Sequence, residues 1–188
     1  MITRLLLAAV MLTGLAANAA EVAGVRIDDK TRVANAELAL NGAGLRKRAF
    51  FQVYAIGLYL PKKTSNAAEA ISSTGPKRVA IHMLRDVGAD AFTEALADGI
   101  RANHSEAEAK ALEPRIKELA AIMAELKEAK KGMAIALDWQ PQGGTVMMVN
   151  GAARGKPIPG EDFYRALLRI WLGDKPVQDD LKKALLGG

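Results

Sequence analysis

The chain has 188 residues, half of them apolar and a quarter charged, with 26 Lys and Arg against 21 Asp and Glu, a formal charge of +5, and no cysteine. That length makes one domain the default, able to bury roughly two thirds of the unfolded chain's surface around one core. Lack of cysteine excludes disulfides and thiol chemistry, and a mild basic excess spread beside acidic neighbours excludes the aromatic-interleaved basic stripe of a nucleic-acid binder.

The first residues read as an export leader. Arg4 gives a positive start, Leu5 to Leu15 is an apolar run broken only by Thr13 and Gly14, and Ala17-Asn18-Ala19-Ala20 follows. This is the charged, apolar and small-residue order of a cleavable signal. A membrane anchor needs roughly twenty uninterrupted apolar residues. The sequence therefore predicts a signal peptide over residues 1–19, cut after Ala19 or one residue later, and a periplasmic domain over 20–188 with no membrane span.

Beyond the leader, strands are expected at Val22 to Ile27 and Val33 to Leu40, separated by Asp28-Asp29-Lys30, with a turn at Asn41-Gly42-Ala43-Gly44. The run RKRAFFQVYAIGLYLP, ending at Pro61, is rich in aromatic and branched residues and reads as one long strand. Its apolar side chains occupy both parities, so both faces should be covered and the strand should lie centrally in its sheet.

A short helix from Asn66 to Ile71 and a strand from Lys77 to Val87 come next. Ala89 to Asn103 has helical apolar spacing, and Ser105 with Glu108 forms a capping box opening another helix. Pro114 should kink or restart that helix, and Gly132 should end it. Strands MAIALDW and TVMMVNG flank a loop at Pro141 to Gly144, a short strand follows at Ala153, and helices at Glu161 to Gly173 and Val177 to Gly187 are parted by Pro176. Strands, then helices, then a hairpin, then helices fit an α+β fold, an antiparallel sheet with helices on one face.

Four stretches carry a family resemblance: NGAGLRKRAFFQVYAIGLYLP, AFTEALADGIRANHSEAEAKALE, ALDWQPQGGTVMMVNG and GEDFYRALLRIWLGDKPVQDDLKKALLG. Together they resemble the chalcone isomerase-like proteins, specifically an exported bacterial branch, over nearly the whole chain after the leader. The resemblance implies an open-faced sandwich, a large antiparallel sheet with a layer of helices on one face and an apolar cleft between.

It also implies where a site would lie. In the plant enzymes an arginine, a threonine, a tyrosine, an asparagine and a late hydroxyl surround the substrate. The arginine corresponds to Arg46 or Arg48, Tyr54 stands at the threonine position, and Phe92, Gly99 and Ile170 replace the other three. Those three cannot hydrogen-bond through a side chain, and each lost donor costs roughly 3 to 4 kcal/mol of transition-state stabilisation, so chalcone isomerase activity is not expected. Non-catalytic relatives in plants bind fatty acids. The ligand class implied here is thus a fatty acid or similar amphipathic anion, gripped by Arg46 or Arg48 with Tyr54, because a guanidinium suits a carboxylate.

Arg48 is the favoured arginine, being nearer the apolar strand. On a straight strand, however, Arg48 and Tyr54 would be about 20 Å apart and could share one carboxylate only across a bend or bulge. Alternatively, both arginines are solvated strand-end charges and Tyr54 is a core tyrosine.

His82 lacks further ligands at metal spacing and reads as a packed strand histidine beside the helices, and His104 as a loop residue. Asp138 and Trp139 read as turn and core-edge residues, and Glu106, Glu108 and Glu113 as a solvated helix face. No cofactor or metal is implied. The leading expectation is a non-catalytic periplasmic binding protein. The alternatives are an interaction module with a filled cleft and an isomerase-type enzyme on an unknown small substrate.

Overall fold

The computed structural model describes residues 19–188, and residues 1–18 of the leader expected over residues 1–19 lie outside them. The elements in chain order begin with β1 (Ala19–Val22) and β2 (Val25–Asp28), a hairpin whose turn residues Ala23 and Gly24 both take positive φ, 50° and 79°. Two positive φ values give the turn a twist that matches the strands it joins. A single strand from Val22 to Ile27 is therefore replaced by two.

β3 (Lys30–Val33) and β4 (Ala36–Arg48) form the next hairpin, and β4 runs straight through the expected turn at Asn41 to Gly44. The glycines there serve close approach. A Cβ on Gly42 would lie 2.1 Å from the Ala184 carbonyl oxygen, and one on Gly44 would lie 2.6 Å from Leu181 Cδ1, both on the last helix. A turn falls instead inside the expected long strand. Ala49, at φ 53°, and Phe50 reverse the chain before β5 (Phe51–Leu60).

After α1 (Ala67–Ser72), capped by Asn66, come β6 (Lys77–Met83), the two-residue β7 (Val87–Gly88) and α2 (Ala89–Ala102). α3 (Glu106–Ala124) opens on the expected capping box of Ser105 and Glu108 and runs through Pro114. It stops well short of Gly132, since Lys127 turns at φ 60° into β8 (Glu128–Ala129), which pairs with β7. β9 (Ala134–Gln140), β10 (Gly144–Val149) and β11 (Ala152–Ile158) form a meander, followed by α4 (Glu161–Leu172) and α5 (Asp179–Leu185).

The main sheet is antiparallel, with seven strands in the order β11-β10-β9-β6-β5-β4-β3. One face carries Ile56, Leu58, Ile81 and Leu137 into the main core with Leu96 and Ile100 of α2 and Phe163, Leu167 and Trp171 of α4. On the other face Ala55 and Tyr59 join Ile27, Val33, Leu38 and Leu40 in a second cluster, and Ile27 belongs to the β1–β2 hairpin. β5 is buried from Tyr54 to Leu60 on both parities, as a strand rich in apolar side chains on both faces must be. The fold is α+β, as expected. Among the described residues no helix is long and apolar enough to cross a membrane.

Candidate functional site

The β4–β5 hairpin is packed at one end and open at the other. At the open end a cleft of about 950 Å³ lies between the hairpin, α2, the Arg85 to Gly88 segment and the chain after α4. Its apolar wall includes Val53, Phe92, Leu96, Ile170 and Val177, and Arg46, Arg48, Arg85 and Lys175 bring positive charge to it. Asp86, Glu94 and Asp98 also line it.

The turn at Ala49 and Phe50 is what builds the site. It folds the expected single strand onto itself, so Arg46 becomes the direct cross-strand partner of Tyr54 and Arg48 that of Phe51. Directly opposed residues have Cβ atoms roughly 4.5 to 5.5 Å apart, in place of the 20 Å that a straight strand imposes on Arg48 and Tyr54. The structure thus brings Arg46 beside Tyr54 and leaves Arg48, which is exposed, at the tip side of the same cleft.

Arg46 is half-buried and held in place by neutral acceptors. Its Nη1 donates to the Lys47 carbonyl and, at 3.3 Å, to Gln178 Oε1. Gln178 also accepts from the Lys47 backbone at 2.8 Å and donates to the Leu45 carbonyl at 3.0 Å, clamping β4 to the start of α5. None of the ion pairs among the described residues includes Arg46.

Tyr54 is buried, and its Oη accepts the Trp171 indole N–H at 3.0 Å. Burial pushes the Tyr54 phenol above its usual pKa, against the opposing pull of Trp171 and of the Arg46 guanidinium. The hydroxyl therefore stays neutral at physiological pH and keeps its hydrogen to donate. A fixed guanidinium and a neutral hydroxyl donor, side by side at an apolar wall, suit one carboxylate.

Phe92, Gly99 and Ile170 line this same cleft. α2 and α4 press together at Gly99, where an added Cβ would lie 2.8 Å from Ile170 Cγ2. An amide side chain at Gly99 would have to displace Ile170, so helix packing excludes a polar group from that position. Beside the apolar wall, Arg46 and Tyr54 place one guanidinium and one hydroxyl next to each other.

The remaining polar residues fall elsewhere. His82 lies on the face turned away from the main core, paired with Ala55 and Ala134, and not beside the helices. Burial lowers its pKa, with Asp28 opposing. Asp138 is a buried mid-sheet residue in place of a turn former, receiving Arg78 Nε and Nη2 at 2.6 Å each, while Arg78 Nη1 reaches Thr31 Oγ1 at 2.6 Å. His104 contacts the Ile100 carbonyl through Nδ1 at 2.7 Å, and Glu108 is consumed by its cap. Among the described residues no group of three or more His, Asp or Glu side chains could hold a metal ion.

Trp171, Gln178, Arg85 and Lys175 were not singled out by the sequence. A signal existed for Trp171. It shares a helical face with Phe163 and Leu167, and a buried indole N–H needs an acceptor.

An antiparallel sheet layered with helices on one face, with an arginine and a tyrosine in a cleft between them, defines an open-faced sandwich. The chain belongs to the chalcone isomerase-like family, whose model matches residues 19–187. A solved structure with the same fold is a fatty-acid binding protein from Arabidopsis thaliana, 13% identical, with a TM-score of 0.68 over 87% of this chain and 92% of that one. No curated protein sequence matches the chain.

Proposed function

We propose that this protein is a non-catalytic carrier that holds a fatty acid or similar amphipathic anion in its cleft, with the carboxylate on Arg46 and Tyr54 and the tail along Phe92, Leu96 and Ile170. The observation that carries this reading is the Arg46–Tyr54 pair, a cation and a hydroxyl donor side by side with no internal carboxylate on the cation. A carboxylate leaving water must be paired, and here the partner waits at an apolar wall.

The cleft's volume of about 950 Å³ falls in the range of ligand sites, roughly 300 to 1,000 Å³. That speaks against the filled-cleft interaction module. The Arabidopsis neighbour's fatty-acid binding supports the ligand class. The loss of polar side chains at Phe92, Gly99 and Ile170 speaks against isomerase chemistry. The leader motif, charged then apolar then small, supports export to the periplasm.

The test is organic extraction of purified protein followed by mass spectrometry. Fatty acids at near-stoichiometric yield are expected, and their absence together with failure to bind added palmitate would sink the reading. Chalcone incubated with the protein should close to flavanone no faster than in buffer. A stereoselective rate would restore the enzyme reading. Intact mass of the exported protein should give an N-terminus at Ala20 or Glu21, and retention of Arg4 would contradict the leader.

A further inference from the structure

The tip of the β4–β5 hairpin exposes two adjacent aromatic rings. Phe50 is 85% and Phe51 47% exposed, the large apolar side chains left in water among the described residues. Their centroids lie 4.3 Å apart. A scattered exposed apolar residue needs no explanation, but an adjacent pair at one hairpin tip, Phe50 in the turn and Phe51 opening β5, does. Turn chemistry favours glycine or asparagine there, and no backbone demand calls for phenylalanine.

The rings sit among cations. Lys47 and Arg48 precede the turn on β4, and the Arg85 guanidinium stands 4.6 Å from the Phe51 ring centroid. Backbone hydrogen bonds align two further turns with this tip. Leu84 N–H reaches the Val53 carbonyl at 2.9 Å, and Gly132 N–H reaches the Met83 carbonyl at 2.8 Å. The second of these turns brings Lys130 and Lys131. All five cations are exposed. Asp86 is the acid of these turns, and it is engaged by the Lys131 backbone N–H at 2.7 Å.

We propose that this tip docks the protein on an anionic phospholipid surface. Phe50 and Phe51 enter the boundary between headgroups and acyl chains while the basic residues rest on the phosphates. Aromatic side chains favour that boundary, and basic residues near an anionic surface each strengthen binding about fivefold. Because Phe51, Arg48 and Arg85 also line the cleft, docking sets the cleft's mouth against the lipid, and an amphipathic ligand passes between membrane and cleft without crossing water. The docking stands on the tip alone, whereas the loading role rests on the cleft reading above.

The experiment is sedimentation of residues 19–188, which carry every described element and the whole family match, with vesicles of mixed phosphatidylcholine and phosphatidylglycerol or of phosphatidylcholine alone. The protein should sediment with the mixed vesicles only, and high salt should release it. Phe50→Ser should weaken binding about tenfold, as expected for one phenylalanine withdrawn from the acyl boundary. Lys130→Ala combined with Lys131→Ala should weaken it about twentyfold. Phe50, Lys130 and Lys131 do not line the cleft, so palmitate affinity without vesicles should match the parent in both variants. Trp139 and Trp171 are both buried, so the fluorescence of Phe50→Trp should shift to the blue when mixed vesicles are added. Equal sedimentation with both lipids, none with either, or a Phe50→Ser variant that sediments like the parent overturns the docking, even if palmitate still binds. Sedimentation as described with no palmitate binding overturns the cleft reading and the loading role instead.

Discussion

β5 carries two buried tyrosines, and each faces an arginine on a flanking strand: Tyr54 opposite Arg46 of β4, and Tyr59 opposite Arg78 of β6. Being five residues apart, the tyrosines point to opposite faces of the sheet. Arg78 has its carboxylate supplied by the chain, since Asp138 takes two of its N–H groups and Thr31 a third. The Tyr59 hydroxyl donates to the Asp28 carbonyl at 2.8 Å, and burial pushes its pKa up to about 12. Every partner there is internal, so the arrangement serves the fold. Arg46 has only a glutamine and a carbonyl, and the Tyr54 hydroxyl accepts a bond without giving one to the protein. The same pairing of residue types thus makes a closed structural contact on one face and, on the other, leaves the arginine of the proposed anion site without a carboxylate from the chain.

Substitutions should separate the two. The largest effect belongs to the closed pair, where Asp138→Ala leaves a guanidinium in the sheet without its partner and should cost about 3 to 5 kcal/mol of stability. Urea unfolding measures it, and palmitate affinity should not change. At the open pair the pattern inverts. Arg46→Ala should weaken palmitate binding by about 2 to 5 kcal/mol in titration calorimetry, while stability changes little because no buried carboxylate is orphaned. Arg48→Ala, at the tip side, should fall short of this loss.

Tyr54→Phe is intermediate and mixed. It removes a hydrogen bond to the bound carboxylate, worth about 1.5 to 3 kcal/mol of affinity, and also orphans the Trp171 N–H, costing about 1 to 3 kcal/mol of stability. A change in only one of these quantities would show that the hydroxyl serves the fold alone or the ligand alone.

The smallest effect marks a control far from both arginines. Arg115 holds Asp162 by two bonds of 2.6 and 2.7 Å, and that hydrogen bonding keeps the Asp162 carboxyl below its usual range. A depressed carboxylate contributes stability above its unfolded pKa and loses that contribution as pH falls through the folded value. Asp162→Asn should therefore remove at most about 1 kcal/mol at neutral pH, since the side chain is largely exposed, and the difference from the parent should vanish in acid. Urea midpoints across that range would reveal it.

The fold was legible where side chains report burial. Apolar residues on both parities of Val53 to Leu60 placed β5 inside the sheet, and the Ser105 to Glu108 capping box opened α3. The hairpin was misread because its two ends carry opposite signals. Gly42 and Gly44 look like a turn yet serve the close approach of α5, a contact more than a hundred residues distant that no local pattern reveals. Ala49 looks like strand yet makes the turn at positive φ without the glycine or asparagine that usually marks one. Read as one straight strand, the run separates Arg46 from Tyr54, whereas the turn at Ala49 pairs them. The arginines and the tyrosine of the proposed site could be named from the sequence, but not their register, because register follows from where the turn falls.

A crystal structure of the protein with palmitate tests the central claim most directly. The account predicts the carboxylate between the Arg46 guanidinium and the Tyr54 hydroxyl, within ordinary hydrogen-bond distance of about 2.7 to 3.2 Å, with the chain running along Phe92 and Ile170. A carboxylate seated instead on Arg48, Arg85 or Lys175, or a cleft empty of fatty acid at saturating palmitate, would contradict it.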